Sequence, residues 1–183
     1  GAAPEMLQTA YGSLTVGLDM QAGQSLLIRG GTSSVGMAAA VLAKEQGLTV
    51  LSTTRRAERA ATLRAIGVDH VIVDDGAIAA KVRAILPAGV DRALELVGTP
   101  TLPDTLAATA YHGVVCFTGM LSNQWTVRDF YPIAYLPRGV RLAASAEPGW
   151  PVVNGSDREL IQVLVNLLVN AIRHTPSDGT VEV

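Results

Sequence analysis

Ser25-Leu26-Leu27-Ile28-Arg29-Gly30-Gly31-Thr32-Ser33-Ser34-Val35-Gly36 is an apolar run that breaks on two adjacent glycines and resumes with a third. It reads as a buried strand, a tight turn and the start of a helix. The stretch Val35–Gln46 continues as an alanine-rich segment of good helix propensity. Gly31, Ser33 and Gly36 fall on three positions with separate physical demands. One must make a tight turn, one must let backbone approach a pyrophosphate, and one must let helix pack on strand. Thr32, Ser34 and Val35 complete the loop. The helix start then offers free amides and the positive end of its dipole to phosphates. Ser33 puts a small side chain where a second glycine is usual, and the Ser33 and Ser34 hydroxyls are candidate donors. A plain strand-to-helix turn would use similar residues, so the surrounding pattern must decide.

Outward from this turn, short apolar runs alternate with helical ones. Strands are expected at Ser25–Ile28, Thr49–Thr53, His70–Val73, Ala93–Val97, Val114–Thr118 and Val140–Ala144. Helices are expected at Val35–Gln46, Ala57–Ile66, Ile78–Leu86 and Leu102–Ala110. The strands are apolar at successive positions, as suits strands buried on both faces. Strand–helix alternation with short links predicts an α/β fold, a doubly wound parallel sheet of about six strands with right-handed crossovers. Gly47 and Gly67 each follow a helix, where a residue of positive φ is needed. Pro132–Gly139 reads as a turn-rich connection.

The 183 residues, 49% hydrophobic and 16% charged, suffice for a sizeable core. With 14 basic against 16 acidic residues, no bulk charge argues for nucleic acid or an anionic membrane. One cysteine, Cys116, excludes a disulfide framework and a cysteine-based zinc cluster, and is expected to be a buried small hydrophobe. No apolar run reaches the roughly 18 residues of a membrane span. The opening residues lack a basic, signal-like segment, so a soluble cytoplasmic protein is expected. His70, His112 and His174 are far apart and form no evident ligand set, and no catalytic triad can be assembled. No catalytic residue is assigned.

The end of the second strand bears on the cofactor. A site for NAD places a carboxylate about 20 residues beyond the glycines, on the ribose 2′-hydroxyl. Thr54 lies 18 residues past Gly36, and no acid occurs from Gly47 to Ala57. The strand ends instead in Ser52-Thr53-Thr54-Arg55-Arg56. Hydroxyls and guanidinium groups suit a 2′-phosphate, which points to NADPH. A solvated helix start is the alternative for Arg55 and Arg56.

Residues 1 to about 146 resemble the cofactor domain of medium-chain dehydrogenases/reductases, specifically the zinc-independent quinone oxidoreductase branch. The resemblance rests on Thr9-Ala10-Tyr11-Gly12, Gly23 to Ile28 with the glycine turn, and Leu63 to Ile72. It continues through Gly89-Val90-Asp91, Leu96-Val97-Gly98, Gly113-Val114-Val115 and Gly119-Met120-Leu121-Ser122. It implies a Rossmann fold, NADPH, and hydride transfer to quinones, enones or related carbonyls. Matching positions imply that Thr9 and Tyr11 lie near the nicotinamide side and that Gly31 to Gly36 hold the pyrophosphate. They likewise give Thr54, Arg55 and Arg56 the 2′-phosphate, and set Val97, Thr118, Gly119 and Met120 beside the adenosine or nicotinamide ribose. In that family a GroES-like domain forms the substrate side of the cleft, and only Gly1–Gln8 precede the resemblance here. Domains of the family often pair along the strand near Val140–Ala144, so a homodimer is expected.

The remainder departs from that pattern. Glu147-Pro148-Gly149-Trp150-Pro151 makes a linker-like joint, and Ser156-Asp157-Arg158-Glu159 is a capping box opening a helix to about His174. Glu159, Gln162, Asn166, Asn170 and Arg173 step by three or four residues and share one helical face. Residues 147–183 resemble the N box of sensor histidine kinases, where such a stripe faces nucleotide and the position of Asn170 helps hold magnesium. Asn166 and Asn170 are thus the candidate Mg/ATP residues, with asparagine a hard oxygen ligand. The ATP-lid and adenine-binding motifs of that family do not follow. An amphipathic helix that covers the sheet with its apolar face is the favoured expectation. Two domains, 1–146 and 147–183, are expected, with a chimeric, non-catalytic nucleotide-binding module as the alternative to an oxidoreductase and an ATP-binding kinase fragment ranking third.

Overall fold

The buried strands expected from the apolar runs pair into one sheet. The structure, a computed structural model, describes residues 3–124 and 126–144. Its strands are β1 (Ser25–Arg29), β2 (Thr49–Thr54), β3 (His70–Val73), β4 (Val90–Glu95), β5 (Thr109–Phe117) and β6 (Arg141–Ala144). The helices are α1 (Ala3–Gly12), α2 (Ser34–Glu45), α3 (Ala60–Ala65), α4 (Ala79–Ile85), α5 (Leu102–Ala108) and α6 (Pro132–Tyr135). A π-helical turn, Ser13–Gly17, continues α1, and a 3-10 turn, Ala57–Arg59, precedes α3. All strand pairs are parallel, in the order β3-β2-β1-β4-β5-β6. The order reverses between β1 and β4, so the first half of the chain fans one way and the second the other. A crevice forms outside the carboxyl ends of the strands at such a switch point.

Alternation along β1 sends residues to both faces. Leu26 and Ile28 join Ala10, Leu14, Ala39, Ala43 and Leu94 in one core layer, under α1 and α2. Leu27 joins Leu51, Val82, Leu106 and Val115 in the other, under α4 and α5. Each fully buried Leu or Ile contributes about 1.5–3 kcal/mol. Cys116 is fully buried in the first layer, as a small hydrophobe should be.

Two strands begin earlier than their composition suggests. β4 starts at Val90 because its polar residues are satisfied sideways: Asp91 Oδ2 accepts from the Ser25 amide and hydroxyl at 2.8 and 2.7 Å. β5 starts at Thr109, so α5 stops at Ala108, and the β4–β5 register shifts between Val90 and Arg92. The connection Pro132–Gly139 contains the one-turn helix α6. Tyr131, just before α6, is 63% exposed. No helix among the described residues is long and apolar enough to cross a membrane. The joint at 147–151, the stripe carrying Asn166 and Asn170, His174, Trp125 and Trp150 all lie outside the described residues.

Candidate functional site

The glycine turn joins β1 to α2 at the switch point. Ser33 is the N-cap of α2 in an extended conformation. Its hydroxyl accepts from the Gly36 amide at 3.1 Å and donates to the Gly30 carbonyl at 2.8 Å. Its proton is therefore committed to the turn, which corrects its expected role as a hydroxyl donor. The open donors are the amides of Ser34 and Val35 in the first turn of α2.

Close approach explains two of the glycines. The Gly31 amide donates to the Thr53 carbonyl at 3.0 Å, and the Gly30 amide to Thr53 Oγ1 at 3.0 Å. A Cβ on Gly31 would stand 1.7 Å from Ser52 Oγ, and one on Gly36 would stand 2.7 Å from the Gly30 carbonyl oxygen. Among the described residues Ser52 Oγ is buried with no hydrogen-bond partner. Ser52→Ala alone should therefore be near neutral, whereas Gly31→Ala should cost about 1–3 kcal/mol of overpacking. The double variant should recover most of that loss, since the next contacts, at 3.1 Å, need only a small adjustment. Urea midpoints of the three variants check this, and a double variant no better than Gly31→Ala would refute it.

At the end of β2, Thr54 is buried and its hydroxyl is engaged locally. Oγ1 donates to the Arg56 carbonyl at 3.1 Å and accepts the Arg56 amide at 3.2 Å. This turn projects Arg55 and Arg56 outward, and neither guanidinium has a partner among the described residues. Thr54 thus shapes the turn, while the two arginines stay available.

On the other half of the sheet, Thr118 Oγ1 lies 2.9 Å from Ser13 Oγ and 3.3 Å from Cys116 Sγ. Ser13 donates in turn to the Thr9 carbonyl at 2.7 Å. Thr118 therefore ties the end of β5 to the segment that carries Thr9 and the exposed Tyr11. Two loops at the ends of β4 and β5 are zipped together by backbone bonds. Leu121 donates to Leu96 at 3.1 Å and Ser122 to Val97 at 2.8 Å. Val97 and Leu121 also close on the turn at Gly30, where an added Cβ would meet them at 3.4 and 3.1 Å. Gly31–Gly36, Thr54–Arg56, Val97 and Thr118–Met120 thus gather along the carboxyl edge of β1, β2, β4 and β5.

Sequence reasoning missed the polar cluster beneath this edge. Arg29, fully buried at the end of β1, grips Asp74 with Nε and Nη2 at 2.9 and 3.0 Å. Its Nη1 reaches Asp104 at 2.7 Å, the Thr101 carbonyl at 3.0 Å and the Thr105 hydroxyl at 3.2 Å. Burial alone would lower the Arg29 pKa, but the hydrogen bond and charge of Asp74, with Glu95 and Asp104, raise it instead. Glu95, its cross-strand neighbour on β4, is also fully buried. Burial pushes its carboxyl above the usual carboxylate range, against the Thr105 hydroxyl, the Gly98 and Val97 amides and the Arg29 charge. The one available signal was a charged residue at the end of each of two apolar strands.

A parallel sheet in this order, with a glycine turn at its switch point, defines a Rossmann-type nucleotide-binding fold. The chain belongs to the zinc-binding dehydrogenase family, whose model matches residues 34–152. A "Probable quinone oxidoreductase" of Leishmania amazonensis is 34% identical over 95 residues, which are 51% of this chain and 27% of that protein. The structure of a mycobacterial quinone oxidoreductase is 25% identical, with a TM-score of 0.68 over 78% of this chain and 44% of that one. The nucleotide-binding subdomain of the enoylreductase domain of PpsC from Mycobacterium tuberculosis shares the fold at 20% identity. Its TM-score is 0.71 over 93% of this chain and 96% of that one. The chain thus spans under half the length of the two quinone oxidoreductase relatives. Among the described residues no three His, Cys, Asp or Glu side chains stand together as metal ligands.

Proposed function

We propose that this chain is the NADPH-holding domain of an enzyme that transfers hydride to a quinone or related enone. The observation that carries the reading is the end of β2, where Arg55 and Arg56 stand exposed beyond Thr54 with no carboxylate beside them in sequence. Two free guanidinium groups there suit a 2′-phosphate and disfavour a bare ribose diol, which would want an acid. The Ser34 and Val35 amides, with the glycines that clear a path to them, would hold the pyrophosphate. Val97, Thr118, Gly119 and Met120 would flank the ribose on the far half, with Thr9 and Tyr11 towards the nicotinamide. The cofactor, when bound, supplies the hydride, and the protein's task is to orient it and exclude water. Residues 1–146 form the NADP domain in this reading, and 147–183 are an N-box-like addition to it. A GroES-like substrate domain would complete the cleft, β6 is the edge available for a homodimer, and the compartment is the cytoplasm.

Competitive fluorescence titration tests the cofactor. NADPH should bind at least about tenfold more tightly than NADH, as one charge-assisted bidentate contact predicts. Arg55→Glu should remove most of that margin while leaving NADH binding near its original value. Tighter binding of NADH by the unaltered chain would overturn the reading.

A further inference from the structure

Glu95 sits where both loops on the far half of the crevice are rooted. Its Oε1 accepts the Val97 amide at 2.8 Å, the Gly98 amide at 3.1 Å and the Thr101 hydroxyl at 3.0 Å. Its Oε2 accepts the Thr105 hydroxyl, which itself receives Arg29 Nη1 at 3.2 Å. Its backbone carbonyl accepts the amides of Thr118 and Gly119 at 3.0 and 3.1 Å. One residue therefore fixes the loop after β4 through its side chain and the loop after β5 through its main chain. Gly98, at a φ of 129°, makes the bend that brings two successive amides onto one oxygen. A buried carboxylate that accepts four donors is a costly fixture for a core, since its desolvation must be offset by every one of them. Packing alone would be met by an apolar residue.

We propose that Glu95 is a positioning residue for the nicotinamide half of the dinucleotide, acting through the Val97–Gly98 and Thr118–Gly119 loops. The proposal rests on the cofactor reading above. If the 2′-phosphate lies over the end of β2, the adenosine takes the β1–β3 half, and the second mononucleotide crosses the switch point to the ends of β4 and β5. The amides that Glu95 holds then lie on that second half, while the adenosine half depends on Gly31–Gly36 and Arg55.

The two halves of the ligand separate in binding experiments. Calorimetry with NADPH and with adenosine 2′,5′-bisphosphate, which lacks the nicotinamide half, should be run on the full chain and on Glu95→Ala, Glu95→Asp and Glu95→Gln. Glu95→Ala should weaken NADPH about tenfold or more, since the bonds to the Val97 and Gly98 amides are lost while the main-chain bonds to Thr118 and Gly119 stay. Adenosine 2′,5′-bisphosphate should change by less than about twofold. Glu95→Asp keeps the charge and withdraws the carboxylate from both amides, so it should show the same split if Glu95→Ala does not fold. Glu95→Gln keeps an acceptor oxygen for those amides and should restore NADPH affinity to within about threefold of the unaltered chain. Equal weakening of both ligands, or an unchanged NADPH affinity in Glu95→Ala and Glu95→Asp, overturns the positioning role alone. If the unaltered chain binds neither ligand, the cofactor reading itself falls and this inference with it.

Discussion

Replacement of Arg29 by methionine is expected to cost about 3–5 kcal/mol, the usual penalty for removing one partner of a buried ion pair. The cost lies in what stays behind. Asp74 has a side chain only 7% exposed, Asp104 24%, and Glu95 none. Without the guanidinium, three carboxylates share one low-dielectric site and lose the donors that balanced them. Asp104 also accepts the Ile78 and Ala79 amides at 2.8 and 3.2 Å, so its displacement would unfasten the start of α4. For a domain of this size each kcal/mol moves the midpoint by roughly 2–4 °C, so melting should fall by about 6–20 °C. Lysine should rescue little, because a point charge cannot span Asp74 and Asp104 together. Lys44→Met supplies the contrast. It breaks a pair with Asp69 whose side chains are 31% and 35% exposed, and should cost less than about 1 kcal/mol. Thermal melts followed by circular dichroism rank the two, and equal losses would show that the Arg29 cluster contributes no more than a surface pair.

Gly36→Val should combine a stability loss with loss of cofactor binding. A Cβ there would meet the Gly30 carbonyl oxygen at 2.7 Å and Gly31 Cα at 2.8 Å. Both are backbone atoms of the turn, with no flexible side-chain end to yield. The helix must lift away from the turn, which carries an overpacking cost of about 1–3 kcal/mol or more. The Ser34 and Val35 amides lift with it, so NADPH affinity should fall by well over about tenfold. Gly12→Ala is the control. Gly12 ends α1, nothing among the described residues lies within 4 Å of its added Cβ, and alanine there should be neutral or slightly stabilising. Urea unfolding and NADPH titration on both variants decide it. A Gly36→Val chain that keeps its affinity would remove the turn from the binding site.

How much of this the sequence disclosed depends on the range of the interactions. Strand–helix alternation and the glycine turn are local, and the residues that make them stand within a few positions of each other. The extra lengths of β4 and β5 were hidden because Asp91 and Arg92 look like loop residues until Ser25 is seen across the sheet. Ser33 was legible as a small residue but not as a cap whose proton is spent on Gly30. Arg29 finds its partners 45 and 75 residues away, on segments that only the sheet order brings together. Glu95 belongs to no motif, because its significance lies in the amides it gathers rather than in its neighbours in the chain.

The contact between Gly31 and Ser52 has a consequence for descent. Two positions 21 residues apart share a space too small for a Cβ on one and an Oγ on the other. A lineage in which position 31 gains a methyl group meets less strain if the hydroxyl at position 52 is lost first. The reverse order passes through a more strained intermediate. The pair thus biases the order of mutations, and single-site tolerance measured at either position alone would misjudge what the two can reach together.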